Sequence, residues 1–287
     1  MRMGMIGLGA MGFPIAINLH QAGHLNCVWN RTRATADALA TQCSNLKVVS
    51  NPATLAAQCD LILLSVSADA DVGQIIDALL PALVSGTIII DTSTVSAATA
   101  REMAHRVAAR GAHFLDAPVS GGVEGAKNAT LAMMVGGDAA TLEKIQAMLH
   151  AIAKRIVYMG PSGSGQATKA VNQIMAAGIN QAVTEALSFA QAMQLPLDKV
   201  IDVVGSGAAG NWFLSHRGPT MIQGRYAPGF KVTLHHKDLT ICKHMATAAN
   251  IHLPVAEMTL MHYKKLIETG YGNEDISALF RLKKTLE

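Results

Sequence analysis

The sequence predicts an α/β domain followed by an all-α domain. Three observations carry that expectation. Apolar runs of strand length alternate with helix-period segments through the first half of the chain. A glycine-rich loop, Gly7-Leu8-Gly9-Ala10-Met11-Gly12, joins the first such run to the first such segment. Beyond residue 160 the alternation stops and only helical periodicity remains. Alternation of this kind gives a parallel sheet with helices on both faces, because a crossover between parallel strands needs a helix.

Residues 3–6 (MGMI) read as a short buried strand, and 13–21 as a helix with Ile15, Ile17 and Leu19 among small and polar residues. A strand over 25–30, a helix over 34–42, a strand over 47–49 and a short helix over 51–58 follow. The segment 60–65 (DLILLS) is apolar throughout its middle, as a strand covered on both faces must be. A helix over 72–83, a strand over 87–91 (TIIID) and a helix over 97–109 continue the pattern. Strands over 114–118 and 131–135, a helix over 140–152 and a strand over 155–159 complete it. The Gly/Ser-rich stretch 160–165 marks the boundary, giving domains 1–161 and 162–287.

Segment 166–193 is a long helix whose apolar residues go most of the way round, which predicts burial, in part between subunits. A homodimer or homotetramer is expected. Shorter helices are predicted over 197–204, 211–221, 234–249, 254–268 and 276–285, punctuated by Pro196, Pro228 and Pro254.

Composition narrows the function. Of 287 residues, 50% are hydrophobic and 15% charged, which fits a well-buried globular enzyme and excludes disorder. The net charge of +3 is spread along the chain with no Lys/Arg run, so a nucleic-acid surface is not expected. Cys27, Cys43, Cys59 and Cys242 lie far apart without a CxxC, so neither a metal site nor a disulfide framework is expected. No signal peptide and no bilayer-length apolar run is read, so a cytoplasmic or organelle-matrix location is expected, without a membrane partner.

The glycine loop carries the first functional expectation. Strand, glycine turn and helix together present backbone N–H groups at a helix N-terminus to a pyrophosphate. Gly7 would make the tight turn, Gly9 would let phosphate approach the backbone, and Gly12 would let helix and strand pack closely. Alone the GxGxxG pattern is weak; placed between strand and helix it predicts a Rossmann dinucleotide-binding domain. At the end of the second strand, an acidic residue would bind the ribose 2′-OH of NAD. Here Asn30-Arg31-Thr32 stands instead. Arg31 offers a charge-assisted fork to a 2′-phosphate, so NADP is expected in preference to NAD, with NAD possible.

Three further segments suggest chemistry. Asp91-Thr92-Ser93-Thr94 ends a buried strand, and ligands bind outside the carboxyl ends of strands in such sheets. One of its hydroxyls also suits a helix N-cap. Asp116-Ala117-Pro118-Val119-Ser120-Gly121-Gly122 offers a hydroxyl and a flexible run of N–H donors that suit a carboxylate, although a plain turn reads equally well from this segment alone. Lys169 lies in the first turns of the long buried helix. Lysine is seldom buried without a purpose, and desolvation moves its pKa toward the range of proton transfer. Asn172 and Gln173 lie three and four residues on, roughly on the same face.

These motifs together resemble the β-hydroxyacid dehydrogenase family, which includes 3-hydroxyisobutyrate dehydrogenase and 2-hydroxy-3-oxopropionate (tartronate semialdehyde) reductase. GLGAMGFPIAINL, DTSTV, DAPVSGGVEGA, GSGQATKAVNQ and FKVTLHHKDL occur in the family's order over nearly the whole chain. The resemblance implies an N-terminal Rossmann domain, a long interdomain helix and an all-helical C-terminal domain, with a metal-independent hydride transfer between NAD(P) and a small β-hydroxy acid or semialdehyde acid. It implies Lys169 as general acid/base. It implies Ser120, Gly121 and Gly122 at the substrate carboxylate, and Asn172 or Gln173 at its hydroxyl or carbonyl oxygen. It implies Val66, Ser67 and Thr94 beside the nicotinamide, the loop Gly7, Leu8, Gly9, Ala10, Met11 and Gly12 at the phosphates, and Lys237 reaching the cofactor from the second domain. Ser67 stands where many relatives have Pro, at a contact made mostly by backbone. Trp212, beside Phe213 after a Gly-rich loop, is a candidate lining of the substrate pocket, where core packing is the plainer alternative.

Other readings remain open at this level: a glyoxylate or succinic semialdehyde reductase, a serine-type β-hydroxy amino acid dehydrogenase, or a catalytically silent NADP-binding module. Imine reductases share a related scaffold but generally lack the lysine found here at Lys169. 6-Phosphogluconate dehydrogenase is much longer.

Overall fold

The computed structural model describes residues 1–283. The chain divides into two compact units, Met1–Lys169 and Ala170–Glu287.

In the first unit, β1 (Met3–Ile6), β2 (Leu25–Trp29), β3 (Lys47–Val48), β4 (Leu61–Leu64), β5 (Ile88–Asp91) and β6 (His113–Asp116) form a parallel array. Helices α1 (Gly12–Gln21), α2 (Arg33–Gln42), α3 (Pro52–Ala56), α4 (Asp69–Leu79) and α5 (Ala97–Ala108) make the crossovers. The strand order is β3-β2-β1-β4-β5-β6, so the order reverses at β1 and β4. Ligands of open α/β sheets bind outside the carboxyl ends of the strands at such a switch point.

The far edge departs from the all-parallel expectation. β7 (Val119–Ser120), α6 (Gly122–Lys127), β8 (Leu131–Gly136), α7 (Ala139–Leu149) and β9 (Ala153–Gly160) follow. β8 runs antiparallel to both β6 and β7, and β9 is parallel to β8. Between Asp116 and Leu131 the chain turns back on itself through β7 and α6 instead of making a parallel crossover. The periodicity gave no sign of β7 or α6, because a two-residue strand and a six-residue helix with two glycines carry no usable period.

Two apolar cores lie on the two faces of the sheet. One gathers Met3, Met5, Ile15, Leu19, Leu39, Leu131, Ile145 and Leu149. The other gathers Ile6, Leu55, Ile62, Leu64, Ile76, Ile89, Met103 and Phe114. β1 and β4 contribute alternate residues to each core, as strands covered on both faces do.

Helix α8 (Ser164–Ala192) begins in the first unit and continues into the second. The second unit adds α9 (Leu197–Gly205), α10 (Trp212–Ile222), α11 (Val232–Ala248) and α12 (Pro254–Glu268), then a 3-10 segment, Ile276–Lys283. The sequence pattern predicts an α-helix to residue 285; the described part is 3-10, and Thr285 lies outside the described residues. Tyr263, Phe280, Leu239, Met221 and Leu266 fill this unit's core. Asn180 Nδ2 donates to the Tyr263 hydroxyl at 2.9 Å and to the Ile276 carbonyl at 2.8 Å, which ties α8 to α12 and the 3-10 segment. No helix among the described residues is long and apolar enough to cross a membrane.

Candidate active site

The glycine loop separates into three jobs. Gly7 has φ +90°, and a Cβ there would lie 2.2 Å from the Ser65 carbonyl oxygen. A Cβ on Gly12 would lie 2.0 Å from the Gly7 carbonyl oxygen. Both positions therefore exclude any side chain for reasons internal to the protein. Gly9 differs: apart from its chain neighbours, no atom of the described residues lies within 4 Å of its would-be Cβ. Open space beside a backbone at a helix N-terminus is what an approaching phosphate requires. The first turn of α1 carries no acidic residue and Met11 makes no side-chain cap, so neither offsets the positive end of the helix dipole. These features fit a dinucleotide. Leu8 is buried, while Ala10 is exposed and Met11 half-buried.

At the end of β2, Asn30 orders the loop itself. Its Oδ1 accepts from Leu8 N at 2.9 Å and its Nδ2 donates to the Thr32 carbonyl at 2.9 Å. Arg31 is exposed and pairs with Asp71 of α4 at 3.1 Å. Thr32 is the N-cap of α2, without a side-chain cap bond.

At the ends of β4 and β5 a second cluster forms. Asp91 is fully buried, and its Oδ1 accepts from Ser93 N at 2.9 Å. Its other oxygen, Oδ2, is buried with no hydrogen-bond partner among the described residues. Burial pushes its pKa up to about 6, opposed by the bonds from Ser93 and reinforced by the neighbouring Asp116 and Asp69 carboxylates. Ser93 Oγ accepts from Val66 N at 2.9 Å, so the loop after β4 hangs on the loop after β5. Thr94 is half-buried, and Ser67 is exposed.

The third cluster holds Lys169. Asp116, at the end of β6, is buried and accepts from Gly163 N at 2.7 Å and from Gln166 N at 3.0 Å, capping the start of α8 from another element. Desolvation raises its pKa, and those backbone donors counter the rise. Gly165 is required here, since a Cβ would lie 2.4 Å from the Met134 carbonyl oxygen. Lys169 is itself buried, and its Nζ donates to the Val119 carbonyl at 2.9 Å. Val119 immediately precedes Ser120, Gly121 and Gly122. Gly121 and Gly122 have φ of +131° and +62°, a conformation that L side chains rarely adopt. The ammonium thus lies at the start of the Ser-Gly-Gly turn, in one unit with the glycine loop and Thr94.

The second unit carries its own polar chain. Lys237 Nζ pairs with Asp238 Oδ1 at 2.9 Å. Gln173 Nε2 donates to Asp238 Oδ2 at 2.7 Å, and Asn172 Nδ2 donates to Gln173 Oε1 at 2.7 Å. His235 reaches the Gln173 carbonyl with Nε2 at 3.2 Å, so Nδ1 is left as the acceptor toward the Tyr263 hydroxyl at 3.0 Å. Gln173 is buried and Asn172 half-buried. Trp212 opens α10, is 56% exposed and stacks on His216, whereas Phe213 enters the core.

Sequence reasoning left two buried polar residues without a role, Asp116 and Gln166. The available signal was their type: both are seldom fully buried unless hydrogen-bonded.

Comparison with known proteins accords with this geometry. Residues 2–160 match the family model of the NAD-binding domain of 6-phosphogluconate dehydrogenase. Residues 163–283 match that of the NAD-binding region of NADP-dependent 3-hydroxyisobutyrate dehydrogenase. An uncharacterized oxidoreductase of Shewanella frigidimarina is 38% identical over 99% of each chain. The 2-hydroxy-3-oxopropionate reductase of Escherichia coli K12 is 34% identical, over 97% of this chain and 96% of its own. The structure of Mycobacterium tuberculosis 3-hydroxyisobutyrate dehydrogenase with L-serine superposes with a TM-score of 0.90 at 30% identity, over 99% of both chains. With a glycine cradle shaped for a dinucleotide and both halves matched over their length, the chain belongs to the β-hydroxyacid dehydrogenase family of NAD(P)-dependent oxidoreductases acting on CH–OH groups.

Proposed function

We propose that this enzyme interconverts a small semialdehyde acid and the corresponding β-hydroxy acid, with NADP(H) as the preferred cofactor and Lys169 as general acid/base. Tartronate semialdehyde and the methylmalonate semialdehyde/3-hydroxyisobutyrate pair are the leading substrates. The observation that carries the reading is the buried Lys169 Nζ, 2.9 Å from the carbonyl that precedes Ser120.

When bound, the reduced nicotinamide supplies the hydride. The glycine loop shaped by Gly7 and Gly12, with the open space at Gly9 and the start of α1, would hold the pyrophosphate. Ser120, Gly121 and Gly122 hold the substrate carboxylate through the hydroxyl and the turn's N–H groups, which orients the carbonyl carbon. The Lys169 ammonium gives its proton to the developing alkoxide and stabilises its charge; in oxidation the neutral amine takes the proton back. Positioned proton transfer of this kind contributes roughly 10²–10⁴-fold. Gln173 is committed to Asp238 and also accepts from Asn172, so of the two amides Asn172 is the one proposed for the substrate oxygen, with Gln173 as its buttress.

NADP preference rests on Arg31, with no Asp or Glu at the end of β2. Self-association is also proposed. Val171, Met175 and Phe189 are exposed on α8 at 60%, 62% and 67%, an apolar stripe suited to a second copy of the chain.

NADPH oxidation, with NADH in parallel, against tartronate semialdehyde, methylmalonate semialdehyde, glyoxylate and succinic semialdehyde tests the reading. Turnover of one of the first two with NADPH is expected. NADPH binding without turnover of any, in either direction, would contradict it.

A further inference from the structure

We infer that Gln166 is a positioning residue that holds the Thr94 loop and Lys169 in fixed register. The inference rests on the role proposed above for Lys169 and on the place beside the nicotinamide that the family resemblance implies for Val66 and Thr94.

Gln166 is buried in the first turn of α8, and both ends of its amide are used. Nε2 donates to the Ser93 carbonyl at 2.8 Å, and Oε1 accepts from Val95 N at 3.2 Å. The two partners are a backbone acceptor and a backbone donor on either side of Thr94. The side chain therefore pairs with the loop as a neighbouring strand would, and the chemistry of the partners fixes which way the amide faces. Its own backbone N–H is held by Asp116 Oδ2 at 3.0 Å. Lys169 lies three residues on, about 4.5 Å along the helix axis, and is anchored to the Val119 carbonyl.

One rigid helical turn thus joins two groups. Ser93 continues the connection to Val66 N at 2.9 Å, so the clamp reaches the loop after β4 as well. The residues proposed beside the nicotinamide, Val66 and Thr94, and the proposed proton donor, Lys169, are referred to one another through Gln166. Neither Leu nor Met at this position could make either bond, and Glu could accept from Val95 but not donate to Ser93. Glutamine alone among residues of this length supplies both.

The test compares the full-length wild type with Gln166→Leu and the flexible near-isostere Gln166→Met. Amide hydrogen exchange over residues 92–97 reads the clamp without turnover. NADPH affinity by fluorescence, kcat and KM for tartronate semialdehyde, and the isotope effect with 4-deuterated NADPH read its consequence. The wild-type Val95 amide should be strongly protected and should exchange at least tenfold faster in both variants. NADPH affinity should weaken by no more than about threefold and KM should change little. By contrast, kcat should fall by 30- to 100-fold with a larger isotope effect, since misplacement by about 1 Å costs on the order of 10² in rate. A wild-type Val95 amide that exchanges like an open loop would overturn the inference, whether or not the variants fold. So would a kcat within threefold of wild type, or a loss confined to KM or NADPH affinity. A wild type inactive on every substrate would strike the functional reading instead, and the exchange data would still decide the clamp.

Discussion

Gly9 and Asp91 show how single positions reveal what a site is for. At Gly9 the protein leaves space that it does not itself need. Gly9→Ala is therefore expected to melt within about 2 °C of the parent, yet to bind NADPH at least tenfold more weakly, because the methyl occupies the phosphate's approach. Thermal melts and fluorescence titrations separate the two effects; a folded variant with unchanged affinity would remove Gly9 from the cofactor site. Gly12→Ala is no such probe, since its methyl would collide with the Gly7 carbonyl. Asp91 offers a pH test. Its folded pKa, raised to about 6, lies above that of an unfolded aspartate near 3.9. The folded state then binds the proton more tightly. This contribution to stability is fully present below about pH 4 and is lost as pH rises through 6. Asp91→Asn should flatten the stability profile across that window in urea melts at several pH values. An unchanged slope would show that Asp91 does not titrate there.

Among the elements, legibility followed periodicity and local chemistry. β1 and α12 lie where the pattern places them, Met3–Ile6 and Pro254–Glu268, because an apolar run beside a glycine turn and a Pro-started amphipathic segment are both strong signals. The antiparallel edge was hidden. Strand direction at β8 is decided by the reversal through β7 and α6, and those few residues have no period of their own. Among the candidate site residues, residue type and neighbours single out Gly7, Gly9, Gly12 and Lys169, whereas Ser120 reads equally well as part of a plain turn and becomes a candidate only through the family resemblance. The partners of Asn30, Gln173 and Gln166 were not readable, since each side-chain amide bonds a group that only the fold brings near. Whether Asn172 or Gln173 faces outward depended on Asp238, which is 65 residues from Gln173 in sequence.

At the scale of the whole molecule, the two compact units divide inside α8, after Lys169. The first turns of α8 are hydrogen-bonded to Asp116, Ser93, Val95 and Val119, all in the first unit, which accounts for their grouping. Beyond that point the helix exposes Val171, Met175 and Phe189. Light scattering at micromolar concentration should give at least twice the chain mass of 30.1 kDa, and Met175→Glu with Phe189→Glu should lower it. A monomeric parent would refute self-association through this stripe.

The proposal that Lys169 moves the proton stands or falls on single-turnover NADPH oxidation by Lys169→Ala at saturating tartronate semialdehyde, beside its NADPH affinity. The expected rate is at least about 10²-fold below the parent with affinity within about twofold, the mark of a group acting on the reaction and not on cofactor binding. A rate within tenfold of the parent would contradict it.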